Sequence, residues 1–502
     1  MAHIRKRSLK ATAWIYLGFI IGAFNTYFLT HNDWFTTEQN GLTRIMIEVS
    51  MMVFAFSTFG VSTFLFKFFP YYKDNLPDKE NDILGLSLVV SAVGLVLTTI
   101  GLFIMEPLIV RKFSENSPLF VEYFYWCLPM ACFILLFNLL EAYSYGYHQG
   151  VTTSMLRETI LRLYTLVIIV LKIFNLISFH TFIVLFAIQY AIIVIVLGGY
   201  LHYKKQLWIS FKISRVTRKF RKKITAAMTL TFIVIVVNVL RSSIDGIVLA
   251  AKQSLGAVGI FGLAAYMVSV MQAPFRSLIA ITIPILSRAW KDKDYKEISR
   301  IYKRSSINLL TFALFIFFCI WLNFDTAINY FNINPDYLQG KWVFFILGIV
   351  AIIETGTGVN SQIIGTSVYW RFELWTSILL TIMIIPLSYT LTVKYGIIGP
   401  AIANMVSLTI YNYIRLHFLW KKFNMQPFST KTFEVLLIAT GAYFITYYSL
   451  QPISSGLWLL IINPLVFATF YFTGIYYRNI SPDVKPIVST LRNRWQKWIE
   501  KR

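Results

Sequence analysis

Uninterrupted apolar runs of about twenty residues recur along the whole of this chain, and that one pattern leaves few folds open. Twenty residues of helix rise about 30 Å, the depth of a bilayer's hydrocarbon. In hydrocarbon every backbone N–H and C=O must be bonded internally, so a spanning segment is either a helix or a strand of a closed barrel. The alternating pattern of barrel strands is absent, and the runs are about twice a barrel strand's length. The fold class is therefore an all-α polytopic membrane protein. Composition agrees, with 57% of the 502 residues hydrophobic and only 14% charged, and a mean hydropathy of +0.63, outside the range of ordinary soluble domains.

We count fourteen spans, near 11–30, 43–66, 83–105, 119–140, 155–174, 181–201, 225–250, 258–285, 305–324, 342–363, 373–392, 397–419, 432–450 and 457–477. The first follows His3-Ile4-Arg5-Lys6-Arg7 as a signal sequence would. It is too long for a signal core and lacks a small-residue cleavage site, so it reads as a retained helix. With both termini placed inside, most of the 46 Lys and Arg fall in inner segments and few in outer loops. That asymmetry fixes the orientation.

The richest inner segment, 202–224, carries Lys204, Lys205, Lys212, Arg215, Arg218 and four further basic residues, with no acid. Lying near the middle of the chain, it reads as a linker between an N-lobe of six helices (1–201) and a C-lobe of six (225–428). Two more helices occupy 429–480, and a basic amphipathic tail at 481–502, with Trp495 and Trp498 on its apolar face, has the pattern of a helix in the inner interface. Asn40-Gly41-Leu42-Thr43 begins the second span as Val258-Gly259-Ile260-Phe261 begins the eighth. This likeness between halves suggests parallel repeats.

A net charge of +23 would suggest nucleic acid as the partner of a soluble chain. Here the basic residues sit in alternate loops, and point to topology first and anionic membrane lipids second. No G-x-x-x-x-G-K-S/T loop is present to bind a nucleotide, nor any H-E-x-x-H spacing. Cys127, Cys132 and Cys319 all lie in apolar runs, so neither a disulfide framework nor a metal site is expected, and no cofactor.

The charges inside the spans are the candidates for function. Arg241 and Asp245 are four residues apart in the seventh span and share one helix face. Each charge at bilayer depth costs about 2.5 to 3.5 kcal/mol on insertion scales, so the pair is expected to face protein or a wet cavity. The eighth span is interrupted by Gln272, Pro274 and Arg276, a break that hydrocarbon tolerates only where it is buried in protein or lines water. Glu48, Asp245 and Glu354 are acids within spans, and a buried carboxylate can trade a proton or a sodium ion. Gly356, Gly358 and Asn360 after Glu354 make a flexible polar stretch, while Glu158 and Arg162 read as an ordinary four-apart pair.

Asp245-Gly-Ile-Val-Leu249, followed by Gly256 through Ala264, resembles a signature of polysaccharide flippases of the multidrug/oligosaccharidyl-lipid/polysaccharide (MOP) exporter superfamily, and Lys394-Tyr-Gly-Ile-Ile-Gly-Pro-Ala-Ile-Ala403 is similar to that family's start of the twelfth span. Gly246 stands where the family often has arginine, and Phe261 replaces a tyrosine; Arg241, one turn earlier, is placed to supply the missing charge. The resemblance implies a two-lobed transporter of a bacterial inner membrane. It would carry an undecaprenyl-diphosphate-linked oligosaccharide between leaflets by alternating access, as a monomer that associates with polymerases or glycosyltransferases. On that reading Arg241 and Arg276 contact the diphosphate, and Asp245, Glu354 or Glu48 couple transport to H+ or Na+. The alternatives are an ion-coupled drug exporter of the same fold, and a membrane polymerase or ligase of lipid-linked sugars. The shortness of the outer loops disfavours the enzyme.

Overall fold

The structure, a computed structural model, describes residues 2–450, 456–481 and 483. The amphipathic tail expected beyond Asp483, with Trp495 and Trp498, lies outside the described residues. Contacts divide the chain into two compact units, Met1–Gly259 and Ile260–Arg502.

The first unit is built from α1 (Ala2–Thr30), α2 (Thr37–Ser57), α3 (Val61–Asn75), α4 (Ile83–Phe113), α5 (Pro118–Tyr123), α6 (Cys127–Gly146), α7 (Gly150–Met155), α8 (Leu161–Ile173), α9 (Phe179–Ala187), α10 (Gln189–Tyr203) and α11 (Arg215–Lys252). A π-helical turn, Leu156–Ile160, joins α7 to α8. After α12 (Leu255–Met271), which begins in the first unit, the second contains α13 (Ala273–Lys291), α14 (Tyr295–Tyr330), α15 (Gly340–Gly356), α16 (Asn360–Gly365), α17 (Trp370–Tyr395), α18 (Gly399–Phe423), α19 (Thr430–Leu450) and α20 (Leu457–Arg478).

Helices cover all fourteen expected stretches. Among the described residues, ten helical stretches are long and apolar enough to cross a membrane, or eleven if the bent pair α2 and α3 is one span. Part of the shortfall is that α17 and α18 run on as one stretch, Trp370–Phe423, and that the fifth stretch is divided by the π turn before α8; the rest has local causes. The chain bends by 51° between α2 and α3, where Gly60 takes φ +73, a conformation that costs glycine little. A Cβ on Gly60 would lie 2.0 Å from the Met228 carbonyl oxygen of α11, so the bend is also a close packing point. The expected eighth span is two helices, α12 and α13. Pro274 sits in the first turn of α13, where its missing N–H costs nothing.

In the first unit α3, α6 and α10 enclose a core that includes Phe64, Phe69, Tyr72, Phe137, Tyr143 and Leu197. Ser50 of α2 donates to the Cys127 carbonyl at 3.0 Å, tying α2 to α6. The two glycines paired by likeness in the sequence pack together, since a Cβ on Gly41 would lie 1.8 Å from the Leu255 carbonyl oxygen and 3.2 Å from the Gly259 nitrogen. Small residues at such a crossing let backbones approach.

The basic segment is anchored at its middle. Ser214 caps α11 by accepting from the Thr217 N–H, and buried Asp82 accepts from the Ser214 N–H at 2.9 Å and the Thr217 hydroxyl at 2.7 Å. Tyr72 completes the chain through its hydroxyl, 2.6 Å from that of Thr217. This cap starts α11 ten residues before the expected span at 225, so half of the 202–224 segment is helix. α11 then packs along α2 and α3, which is why the unit boundary lies at Gly259 rather than in the basic segment.

In the second unit α19 and α20 pack on α14, with Phe315, Phe467 and Tyr471 stacked. The Tyr471 hydroxyl donates to the Thr311 carbonyl at 2.9 Å, and Asn463 donates to Asn323 at 3.1 Å. A second core, around Leu286, Ile298, Tyr302, Ile363 and Leu419, holds α13, α14, α16 and α18 together.

Candidate functional site

In the first unit the charged site is assembled by α2 and α11. Arg44 and Glu48 are one turn apart on α2, and the Arg44 Nε donates to the Glu48 Oε1 at 3.0 Å. Glu48 is 8% exposed, and its Oε2 is buried without a hydrogen-bond partner. That oxygen faces Gly246 so closely that a Cβ there would lie 1.8 Å away. The Glu48 carboxylate thus occupies the space a side chain at position 246 would need. Asp245 adds its negative charge to that of Glu48. Asp245 and Arg241, one turn earlier on α11, are both half-buried.

The buried Glu48 carboxylate has a guanidinium on one oxygen only, and the charge of Asp245 nearby adds to the cost of ionising it. The chemistry open to such a pair is to bind a proton or a small cation and release it when the surroundings change. Among the described residues no three His, Cys, Asp or Glu side chains gather as metal ligands would.

In the second unit Gln272 and Arg276 flank the break between α12 and α13, and Arg276 is exposed in the first turn of α13. Half-buried Glu354, near the end of α15, accepts from the Gln272 Nε2 at 2.8 Å. The broken helix is therefore held by one of the acids singled out from the sequence. Glu158 and Arg162 form the expected pair at 2.9 Å.

Three features escaped the sequence reading. Arg44, close to the start of the expected second span, looks like a boundary residue until its contact with Glu48 is seen. Glu141, 6% exposed in α6, pairs with Arg157 at 2.5 Å, and Arg157 donates to Asn138 at 3.1 Å. Arg157 lies in the π turn, a locally widened turn with i→i+5 bonds that often marks function. Arg415 of α18, 4% exposed, pairs with Glu373 of α17 and stacks on Tyr411, its guanidinium carbon 3.6 Å from the ring centroid. Arg44 and Glu48 have the four-apart spacing of a helix pair, whereas Glu141 with Arg157 and Arg415 with Glu373 join different elements, and no spacing rule signals such pairs.

Fold and site together define a polytopic helical membrane protein that holds carboxylates and guanidinium groups in its helical bundle. No family model matches the chain. Along nearly its full length it is similar to an uncharacterized membrane protein of Methanocaldococcus jannaschii, 22% identical over 98% of this chain and 99% of that protein. Among solved structures, the lipid II flippase MurJ in an inward closed conformation superposes with a TM-score of 0.74 at 16% identity, covering 94% of this chain and 99% of that chain. A multidrug resistance MATE family transporter of the MOP superfamily, inward-facing, gives 0.60 at 15% identity over 81% of this chain and 96% of that chain. A MOP superfamily transporter from Pyrococcus furiosus gives 0.53 at 14% identity over 84% and 95%. The chain thus has the all-helical fold common to MurJ and the MATE transporters.

Proposed function

We propose that this chain is a flippase for a lipid-linked oligosaccharide, moving an undecaprenyl-diphosphate-linked glycan from the inner to the outer leaflet by alternating access. The observation that carries this reading is the extent of the fold match. It reaches 94% of the chain with the lipid II flippase and 81% with the drug transporter. A diphosphate at bilayer depth needs cationic donors, and arginine meets phosphate oxygens bidentately. Arg241 and Arg276 are assigned that contact. Glu48 and Asp245, with Glu354 beside the broken helix, are assigned to coupling with H+ or Na+.

A second reading, an ion-coupled exporter of small molecules, draws on the same fold and the same acids, and is favoured only by the likeness to the MATE transporter. A polymerase or ligase is disfavoured, because the solved structures with this fold are a flippase and drug transporters. On the flippase reading the protein sits in a bacterial inner membrane with both termini cytoplasmic, working as a monomer beside glycosyltransferases or a polymerase. Depletion in cells tests it. A lipid-linked sugar intermediate is expected to accumulate on the inner leaflet, and unchanged lipid-linked sugars with altered drug sensitivity would favour the exporter instead.

A further inference from the structure

A groove of about 610 Å³ runs along α13 and α14 where α20 ends. Its wall is apolar, with Leu278, Ile281 and Ile285 from α13, Phe312 from α14 and Phe472 from α20. Ile281, Ile285 and Phe312 are 65%, 44% and 42% exposed, so this wall is open. At one end the lining turns polar, with Arg300, Arg304 and Asn308 on successive turns of α14 and Asp483 opposite them.

That end already holds an anion. The Arg304 Nε donates to the Asp483 Oδ2 at 3.1 Å, and its Nη2 donates to Oδ1. The Asn308 Nδ2 donates to Oδ2. Ser481 donates to the Asn308 Oδ1 at 2.7 Å, which turns the amide so that its NH2 group faces the carboxylate. The segment is delivered by a defined turn. Asn479 ends α20 in the left-handed conformation, φ +50, Lys431 donates to the Asn479 carbonyl at 2.7 Å, and Ile480 is buried. A guanidinium fork plus an amide is a receptor for phosphate as much as for carboxylate. The ion pair is itself accessible, with Arg304 and Asp483 side chains 53% and 33% exposed, and such pairs are weak enough to exchange.

We propose that this groove is a site for an anionic phospholipid, whose phosphate displaces the Asp483 carboxylate from Arg304 and Asn308 and whose acyl chain lies along the apolar wall. Asp483 is then a competitor carried by the chain itself. The lipid prevails because it brings apolar area as well as charge, and methylenes against Ile281 and Phe312 contribute binding that a carboxylate cannot. On the positive-inside orientation the polar end lies at the inner headgroups, where Arg288, Lys291 and Lys296 add to the attraction. Arg300, paired with Glu297 at 2.7 Å, is the second cation within reach. This inference does not depend on which cargo the protein moves.

Lipid binding to the full-length protein in detergent, followed by native mass spectrometry, tests it with phosphatidylglycerol, phosphatidylcholine of the same acyl chains, and a polyprenyl monophosphate. Phosphatidylglycerol is expected to bind best. D483A should tighten it by on the order of tenfold, and R304Q or N308A should weaken it to a similar degree, as charge-assisted hydrogen bonds imply. R304K, which keeps the charge without the fork, should fall between wild type and R304Q. If R304Q does not fold, D483A and N308A carry the test. Equal binding of phosphatidylcholine, or no tightening in D483A, would overturn the proposal. So would tight binding of the polyprenyl phosphate alone, which would make the groove part of the cargo's path.

Discussion

One oxygen of Glu48 is held by Arg44 and the other is pressed against Gly246, so this residue is set by packing as much as by charge. G246A puts a methyl group into the carboxylate and is expected to destabilise the protein by about 2 kcal/mol, the usual cost of overpacking. Thermal unfolding reads this, and adding E48A should restore most of the loss. Restoration is the informative arm, because a general helix effect would not be cured by trimming Glu48. E48Q keeps the shape and removes the charge. Its stability is expected to stay within about 1 kcal/mol of wild type, since the partly answered charge contributes little net, while gradient-driven transport in vesicles is lost. Gradient dependence unchanged in E48Q would remove Glu48 from coupling. Glu48 and Asp245 stood out in the sequence because acids are conspicuous in apolar runs. Their juxtaposition did not, since 197 positions separate them, and only the steric fact that Gly246 has no side chain brings α11 onto Glu48.

Helices end and bend where contacts with other elements dictate. Asp82 fixes the start of α11 by accepting from Ser214 and Thr217. D82A is expected to free the basic segment, seen as faster tryptic cleavage between 204 and 223, with roughly 1 to 3 kcal/mol of local stability lost to the unsatisfied donors. Cleavage at the wild-type rate would contradict this anchoring. The contact between α14 and the end of α20 has its own pH signature. Arg304 holds the Asp483 carboxyl below its ordinary value by hydrogen bonding to it. A depressed carboxylate contributes where it is ionised, so the contact persists at neutral pH and is lost only as the pH falls through that lowered value. In detergent without anionic lipid, amide exchange at 479–481 should stay slow through the neutral range and quicken only below about pH 4. Quickening at mildly acidic pH would contradict the assignment. The helical class and the approximate place of the helical stretches were legible from hydropathy. The bend at Gly60 and the early start of α11 were not, because both arise from contacts, one with Met228 and the other with Asp82.

At the scale of the molecule, membrane class and helical fold followed from the length and apolarity of the runs. The buried pairs Glu141 with Arg157 and Arg415 with Glu373 stayed hidden, since each joins different helices across a loop. The central claim is that Arg241 and Arg276 receive a phosphorylated passenger. Its most direct measurement is flipping of a fluorescent undecaprenyl-diphosphate oligosaccharide in proteoliposomes, read by quencher accessibility, with the wild-type chain and R241A/R276A reconstituted at equal density. The account predicts flipping by the wild type and a loss of at least about tenfold in the double variant, as removal of charge-assisted phosphate contacts implies. Flipping by the double variant at the wild-type rate would contradict it.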